Sequence, residues 1–95
     1  MITRQKVSAV LRKAGLTVAK YNRSGMVRGW GDWSEGYRVS YNAHDNILFV
    51  RHEQSYIRST ERTQVYKLGK LAQYKEILQA AGIKSEIQDN RLIVL

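Results

Sequence analysis

Positively charged and aromatic side chains are concentrated in one short stretch of the chain, from Lys20 to Tyr41 (KYNRSGMVRGWGDWSEGYRVSY). Its candidate binding residues are Lys20, Arg23, Arg28, Trp30, Trp33 and Arg38. Cationic side chains neutralise phosphates, and tryptophan rings stack on bases. Glycines between them favour a loop that can bend around a ligand. The stretch therefore predicts a surface that contacts nucleic acid.

Two other interpretations of the same residues stay open. Tryptophan and arginine are also the residues that anchor protein interfaces, so a protein partner such as a host enzyme is the alternative. One or both tryptophans would otherwise fold back over the edge of a small core, since large aromatic side chains are buried on average.

Catalytic chemistry has little support in the sequence. His44 and His52 are the only histidines and could approach each other across a hairpin to bind a metal ion. Neither matches the spacings that specify zinc, and exposed or capping histidines are more common. Nucleophile elbows, P-loops and dinucleotide motifs are also absent. We therefore predict no catalytic residue, no metal and no cofactor.

Carboxylates of the glycine-rich stretch have a simpler role than catalysis. We expect Asp32 and Glu35 to keep the loop solvated and to form salt bridges with Arg28 or Arg38. An enzyme of the nuclease type, using Asp32, Glu35 or His44, ranks behind both binding functions.

The composition of the chain limits the kinds of protein and partner that are expected. The 95 residues carry 16 Lys and Arg against eight Asp and Glu, a formal net charge of +8, and include no cysteine. A polyanionic partner suits this charge, and residues 1–31 contain no acidic side chain at all. One domain, 1–95, without disulfides or thiolate metal sites is expected. With no apolar run long enough to span a membrane and no signal-peptide pattern, we expect a cytoplasmic protein.

Hydrophobic periodicity predicts two helices and five strands. The helices run from Thr3 to Ala14 and from about Thr63 to Gly82, the second with Gly69 as a possible late start. The strands are Leu16–Tyr21, Tyr37–Tyr41, Ile47–Val50, Ile83–Gln88 and Arg91–Leu95, and a Gly/Trp-rich loop occupies 22–36. This α-β-β-β-α-β-β order predicts an α+β domain with two helices on one face of a mainly antiparallel sheet. The other face would be open to a ligand.

Three local signals fix the ends of these elements. Gly15 and Gly82 each follow a helix in an Ala-Gly-aliphatic sequence, so we expect a positive φ at both. The similarity between these two segments reflects either a duplicated half-domain or the same local structure arising twice. Asp89-Asn90 tolerates the left-handed conformations of a two-residue hairpin turn. The expected core is Val7, Val10, Leu11, Val39, Ile47, Phe49, Leu71, Leu78, Ile87 and Val94.

Lys67 and Lys70 complete the candidate site through a family resemblance. The α-β-β-β-α order up to the second helix resembles the double-stranded-RNA-binding domain, in which lysines at the start of that helix face phosphates. Lys67 and Lys70 stand at about that place and spacing. The chain departs from the family in its C-terminal hairpin and its Gly/Trp loop.

The chain as a whole is similar to small accessory proteins of tailed bacteriophages in its size, basicity and lack of cysteine and proline. That resemblance implies a phage regulatory or host-takeover protein acting in the host bacterial cytoplasm. Together with the residues above, it predicts a small non-enzymatic module that binds DNA or RNA.

Overall fold

Two helices and six strands are assigned in the computed structural model, which describes residues 2–27, 30–53 and 61–95, without the side chains of 21–27, 30–33 and 61–63. In chain order they are α1 (Arg4–Lys13), β1 (Tyr21–Val27), β2 (Trp30–Trp33), β3 (Gly36–Asn42), β4 (Ile47–Glu53), α2 (Glu61–Ala80), β5 (Ser85–Gln88) and β6 (Arg91–Val94). Neither helix is long and apolar enough to cross a membrane within these residues.

Four strands form one antiparallel sheet in the order β3-β4-β6-β5, and β1 pairs separately with β2. Helix α1 packs on β3, helix α2 packs on β4, β5 and β6, and the two helices contact each other. The predicted α+β class with two helices on one face of the sheet is confirmed.

Both helices end in the same way. Gly15 and Gly82 have φ of +89° and +82°, as their sequence context predicts. In each case the glycine N–H and the following aliphatic N–H bond back to the carbonyls of the last helical turn, which is a Schellman motif. At the other end of α1, the Thr3 hydroxyl accepts from the Lys6 N–H at 3.2 Å, which confirms the predicted N-cap.

The core lies between the helices and the sheet. Its fully buried members are Val7, Leu11, Tyr37, Val50, Leu71, Tyr74, Leu78, Ile83 and Leu92. Of the expected core residues, Val10, Val39, Ile87 and Val94 are half-buried against this cluster, whereas Ile47 and Phe49 are not part of it. Strand alternation places Ile47 and Phe49 on the opposite face of β4 from Val50, which explains the difference.

The prediction of a loop over 22–36 is wrong for most of the described residues of this segment, because β1 and β2 pair with each other there and β3 begins at Gly36. Tyr21 pairs with Trp33 and Val27 with Trp30, with a shift in register between Asn22 and Val27. Gly25 lies inside that irregular stretch, where a glycine commonly marks a bulge in a strand. The glycine content of this segment is therefore not enough to prevent it from forming paired β-strands.

The predicted strand Leu16–Tyr21 is reduced to a single parallel bridge between Val18 and Tyr37. Beyond Ala19 the chain leaves β3, because the Lys20 carbonyl accepts from the Ser34 N–H at 2.9 Å at the root of the hairpin. Gly36 is required at this crossing, since a Cβ there would overlap the backbone of Thr17 and Ala19. Strand pairing instead begins at Tyr21.

Helix α2 continues through Gly69 without interruption, so the start near Thr63 is close to the observed one and the alternative late start after Gly69 does not occur. Leu71, Tyr74 and Leu78 recur on one side of the helix and are buried against the sheet. This tertiary burial outweighs the helix cost of one glycine, about 1 kcal/mol.

Candidate nucleic-acid interface

One face of the four-stranded sheet carries a row of arginines. Arg38 of β3 lies opposite Arg51 of β4, and the β4–β6 register, in which Val50 pairs with Leu92, continues to Arg51 and Arg91. Gln88 of β5 pairs with Arg91 and ends the row. We call Arg38, Arg51 and Arg91 the arginine row. Neighbouring strands lie about 4.8 Å apart, so the three residues stand side by side across the sheet.

This row lies on the face away from the helices, which we call the open face. Its neighbours in sequence, Tyr37, Val50 and Leu92, point into the core between helices and sheet. Because successive residues of a strand point to opposite faces, the arginines must point the other way. Exposure agrees with this assignment, since Arg51 is exposed and Arg38 and Arg91 are half-buried.

The hairpin turn between β5 and β6 sets the register on which the row depends. Asp89 and Asn90 have φ of 50° and 59°, which makes the two-residue turn that the sequence predicts. Arg91 follows at once as the first residue of β6. A slip of one residue would turn Arg91 into the core, and Leu92, which is fully buried, opposes such a slip.

The charges of the row are only partly neutralised within the chain. Arg38 Nε lies 3.8 Å from Glu53 Oε1, at the end of β4. Within the described residues neither Arg51 nor Arg91 has an ion pair. Like charges at opposing positions of adjacent strands destabilise a sheet. The row is therefore a cost to the isolated protein that an anionic ligand would relieve.

Phe49 lies on the same face, two residues from Arg51 along β4. The guanidinium carbons of Arg51 and Arg91 stand 5.6 and 5.0 Å from the centre of its ring. These are cation–π distances. Phe49 is only 8% exposed although neither helix packs on this face, so the two arginine side chains contribute to covering it.

A second basic surface adjoins the row at the edge of the sheet. Between α1 and β3 runs a groove of about 460 Å³, lined by Arg4, Gln5, Ser8, Ala9, Arg12, Val18, Arg38 and Val39. No acidic side chain lines the part of this groove that the structure describes. Arg4 and Arg12 are two helical turns apart, about 12 Å along the axis. Arg38 belongs to both surfaces and joins them into one.

The structure describes the side chains of only some of the six predicted site residues in Lys20–Tyr41. Arg38 is in the row, and Lys20 is exposed at the hairpin root, where its N–H donates to Ser34 Oγ at 2.9 Å. Arg23, Trp30 and Trp33 belong to the hairpin strands, and their side chains lie outside the described part of the structure. Arg28 also lies outside the described residues.

Lys67 and Lys70 lie on helix α2, and neither lines the groove among the described residues. Lys67 lines a pocket of about 300 Å³ with His52, Asn90 and Arg51, so this pocket adjoins the arginine row. The Lys70 ammonium lies 5.4 Å from the centre of the Tyr66 ring. Both lysines are half-buried, as Arg38 and Arg91 are, so their position on α2 and not their exposure separates them from the row.

His52 forms the centre of a polar cluster beside these lysines. Its Nδ1 is hydrogen-bonded to the Tyr74 hydroxyl at 2.5 Å, while its Nε2 lies 3.8 Å from Glu35 Oε2 and has no hydrogen-bond partner within the described residues. Glu35 accepts from the Tyr66 hydroxyl at 2.8 Å. The cluster thus connects the start of β3, the end of β4 and helix α2.

Burial governs the titration of this cluster. Loss of solvation lowers the pKa of His52, and the positive charges of Lys70 and Lys67 lower it further, against the opposing effect of Glu35. The pKa of Tyr74 is raised, mainly by burial, and the hydrogen bond to Glu35 raises the pKa of Tyr66. The neutral form of His52 is therefore favoured at neutral pH.

The two histidines cannot form the metal site considered from sequence. His44 lies in the turn before β4. His52 lies near the other end of that strand, about 17 Å along it from Ile47, its first residue. His44 is exposed, as expected, but His52 is buried, because Tyr74 supplies a hydrogen bond inside the core. No group of three potential metal ligands occurs among the described residues.

Among the described residues, Glu35 contacts other partners than the arginines expected from the sequence. Glu35 contacts His52 and Tyr66, whereas Arg38 pairs with Glu53. Strand pairing is the cause, since Glu53 lies opposite Gly36 and so beside Arg38 on the open face. The side chain of Asp32 lies outside the described part.

Sequence reasoning missed Arg51, Arg91 and Phe49 as site residues. Alternation along β4 would have placed Phe49 and Arg51 on one face, but the predicted strand stopped at Val50. The Asp89-Asn90 turn likewise determines that Arg91 faces outward, given that Leu92 is a core residue.

No protein-family model matches the chain, and neither the curated proteins nor the solved structures include a significant match to it. Any function must therefore be argued from the geometry of the site.

Proposed function

We propose that this protein is a nucleic-acid-binding module whose main contact surface is the open face of the four-stranded sheet. The observation that carries the proposal is the arginine row, in which three arginines from three neighbouring strands stand side by side on the face without helices. Guanidinium groups on neighbouring strands present several bidentate donors to the phosphates of a nucleic-acid backbone.

The path of the backbone would cross the sheet and turn over its β3 edge. From Arg91 and Arg51 it passes Arg38 and reaches the groove that Arg4 and Arg12 line. The hairpin begins at this same edge, so the proposal includes Lys20, Arg23, Arg28, Trp30 and Trp33 as a second contact region. Phosphate contacts of this kind supply affinity and orientation without reading sequence.

A binding titration with matched charge removal tests the proposal. Labelled single-stranded and duplex DNA and RNA are titrated at low salt with the wild-type protein, with R38Q/R51Q/R91Q, and with the control K67Q/K70Q/K75Q. Both variants lose three positive charges, but only the first loses them from the open face. We expect the first to lose most of its affinity and the second to remain within a few-fold of wild type.

Equal losses in both variants would mean that net charge, and not the row, determines binding. Absence of binding by the wild type to all four ligands would overturn the proposal, because a chain of net charge +8 should bind polyanions at low salt. Circular dichroism of each variant checks that the fold is retained.

A protein partner is the second candidate, and one observation favours it. On α2, Val65 is 69% exposed and Leu68 is 40% exposed, one turn apart on the helix surface. Exposed aliphatic side chains in adjacent turns are typical of a contact with another protein. The V65S/L68S variant should then have a much lower affinity for the protein partner than wild type. That affinity should depend only weakly on salt concentration, unlike binding through phosphate contacts.

A further inference from the structure

Phe49 gives the arginine row a second property besides its charge. Its ring is the buried aromatic centre of an otherwise polar face, with the guanidinium groups of Arg51 and Arg91 over it at 5.6 and 5.0 Å. Arg38, the third member, pairs with Glu53. Arg51 and Arg91 are the two members of the row that lie at cation–π distance from Phe49.

A guanidinium that rests on an aromatic ring keeps a free side. The group is planar and weakly hydrated, so both of its sides can stack, while its N–H donors point outward in the plane. Arg51 lies beside Phe49 and is exposed, so part of its guanidinium group remains accessible to a ligand. Nucleobases stack on such guanidinium planes.

Resting on the proposed function, we infer that the ligand of the open face is single-stranded nucleic acid. Its unpaired bases stack on Arg51 and Arg91, each backed by Phe49, while the N–H donors at the edges of all three guanidinium groups contact phosphate. Phe49 contributes by holding the two guanidinium planes in place, because its own ring is almost fully covered.

The dimensions of the sheet favour a single strand over B-form DNA. Four strands span about 14 Å before side chains are counted, whereas the major groove is about 12 Å wide. The sheet cannot enter that groove face-on, and the bases of a duplex are already stacked on each other. An A-form duplex presents a shallow minor groove, but it has no free base faces either.

Charge-conserving variants separate stacking from attraction between charges. Lysine keeps the positive charge of arginine but lacks its plane, and its aliphatic stem can still cover Phe49. We would measure the binding of wild type, R51K/R91K and the control R38K to three labelled probes. The probes are a single-stranded DNA oligonucleotide, an oligonucleotide of the same length made of abasic sites, and a duplex.

If bases stack on the two arginines, R51K/R91K loses roughly tenfold or more in affinity for the intact single strand. The same variant stays within about twofold of wild type on the abasic probe and the duplex, with an unchanged dependence on salt, because no phosphate contact is lost. R38K stays near wild type on all three probes.

Each other result contradicts a particular claim. The stacking inference is overturned if the wild type binds the intact and the abasic strand with equal affinity. It is also overturned if R38K loses as much affinity for the intact strand as R51K/R91K does. Either result leaves the proposal of phosphate binding intact. Wild type that binds none of the probes overturns the proposed function itself. Thermal unfolding of the variants confirms that they are folded.

Discussion

Arg38 and Arg51 lie directly opposite each other on adjacent strands, on the face of the sheet away from both helices. Two like charges in this position repel, and Glu53 offsets only part of that repulsion through Arg38. The pair, extended by Arg91, is the feature that most distinguishes this sheet from one built for stability alone.

Gly36→Ala should destabilise the protein by about 1–3 kcal/mol, because the added Cβ would overlap the backbone of Thr17 and Ala19. Gly69→Ala is the matched control, since a Cβ there meets nothing within 4 Å. It should stabilise helix α2 by roughly 0.5–1 kcal/mol. Urea unfolding measures both, and a Gly36→Ala protein as stable as wild type would contradict the tight crossing at the hairpin root.

Tyr74→Phe should cost about 1–3 kcal/mol, since it leaves the buried Nδ1 of His52 without a hydrogen-bond partner. Tyr66→Phe also removes a hydroxyl, but from an exposed hydrogen bond to Glu35, so its effect should stay within about 0.5 kcal/mol. Denaturant midpoints of the two variants provide the comparison. Similar values would show that the His52–Tyr74 bond contributes no more than a surface contact.

Acid should destabilise the protein through His52. Burial lowers the pKa of this residue in the folded state, so below the ordinary value of about 6.5 the unfolded chain binds the extra proton first. This part of the stability is present above about pH 6.5 and is lost as the pH falls from there toward the lower folded-state pKa. The free energy of unfolding is measured across this range.

The histidine variants identify the group responsible. His52→Gln should flatten the pH dependence in this window, whereas His44→Gln, which changes an exposed turn residue, should leave it unchanged. A wild-type stability that rises on acidification would mean that the Glu35 charge outweighs desolvation at His52.

Leu78→Ala should cost about 2–5 kcal/mol, as expected for a leucine that is fully buried between α2 and the sheet. Val65→Ala, on the exposed side of the same helix, should change stability by no more than about 0.5 kcal/mol. The ratio of the two effects tests which side of α2 faces the core. Comparable effects would contradict the orientation of the helix.

Local signals in the sequence predicted much of the fold. Gly15, Gly82 and the Asp89-Asn90 turn each determine a backbone conformation with their nearest neighbours, and all have the expected positive φ. The amphipathic pattern of α1 likewise identified Val7 and Leu11 as core residues. These features depend on contacts within a few residues, which a single sequence records directly.

The candidate site was less predictable because it depends on pairing between distant segments. Arg38, Arg51 and Arg91 come together only through the registers of three strands, and no local pattern links them. His52 is buried because Tyr74, 22 residues later, supplies a hydrogen-bond partner. The hairpin of β1 and β2 was missed for a related reason, since pairing overrides the low strand propensity of glycine.

The salt dependence of binding tests the central claim most directly. For wild type, Arg51→Gln and the control Lys75→Gln, the logarithm of the affinity for a labelled single-stranded oligonucleotide is plotted against the logarithm of the salt concentration. If Arg51 contacts phosphate as well as base, Arg51→Gln should lower the magnitude of the slope by about 0.7, the value for one phosphate contact on a single strand. Lys75→Gln, which removes the same charge from α2, should leave the slope unchanged. An unchanged slope for Arg51→Gln, or an equal decrease for both variants, would contradict binding through the arginine row.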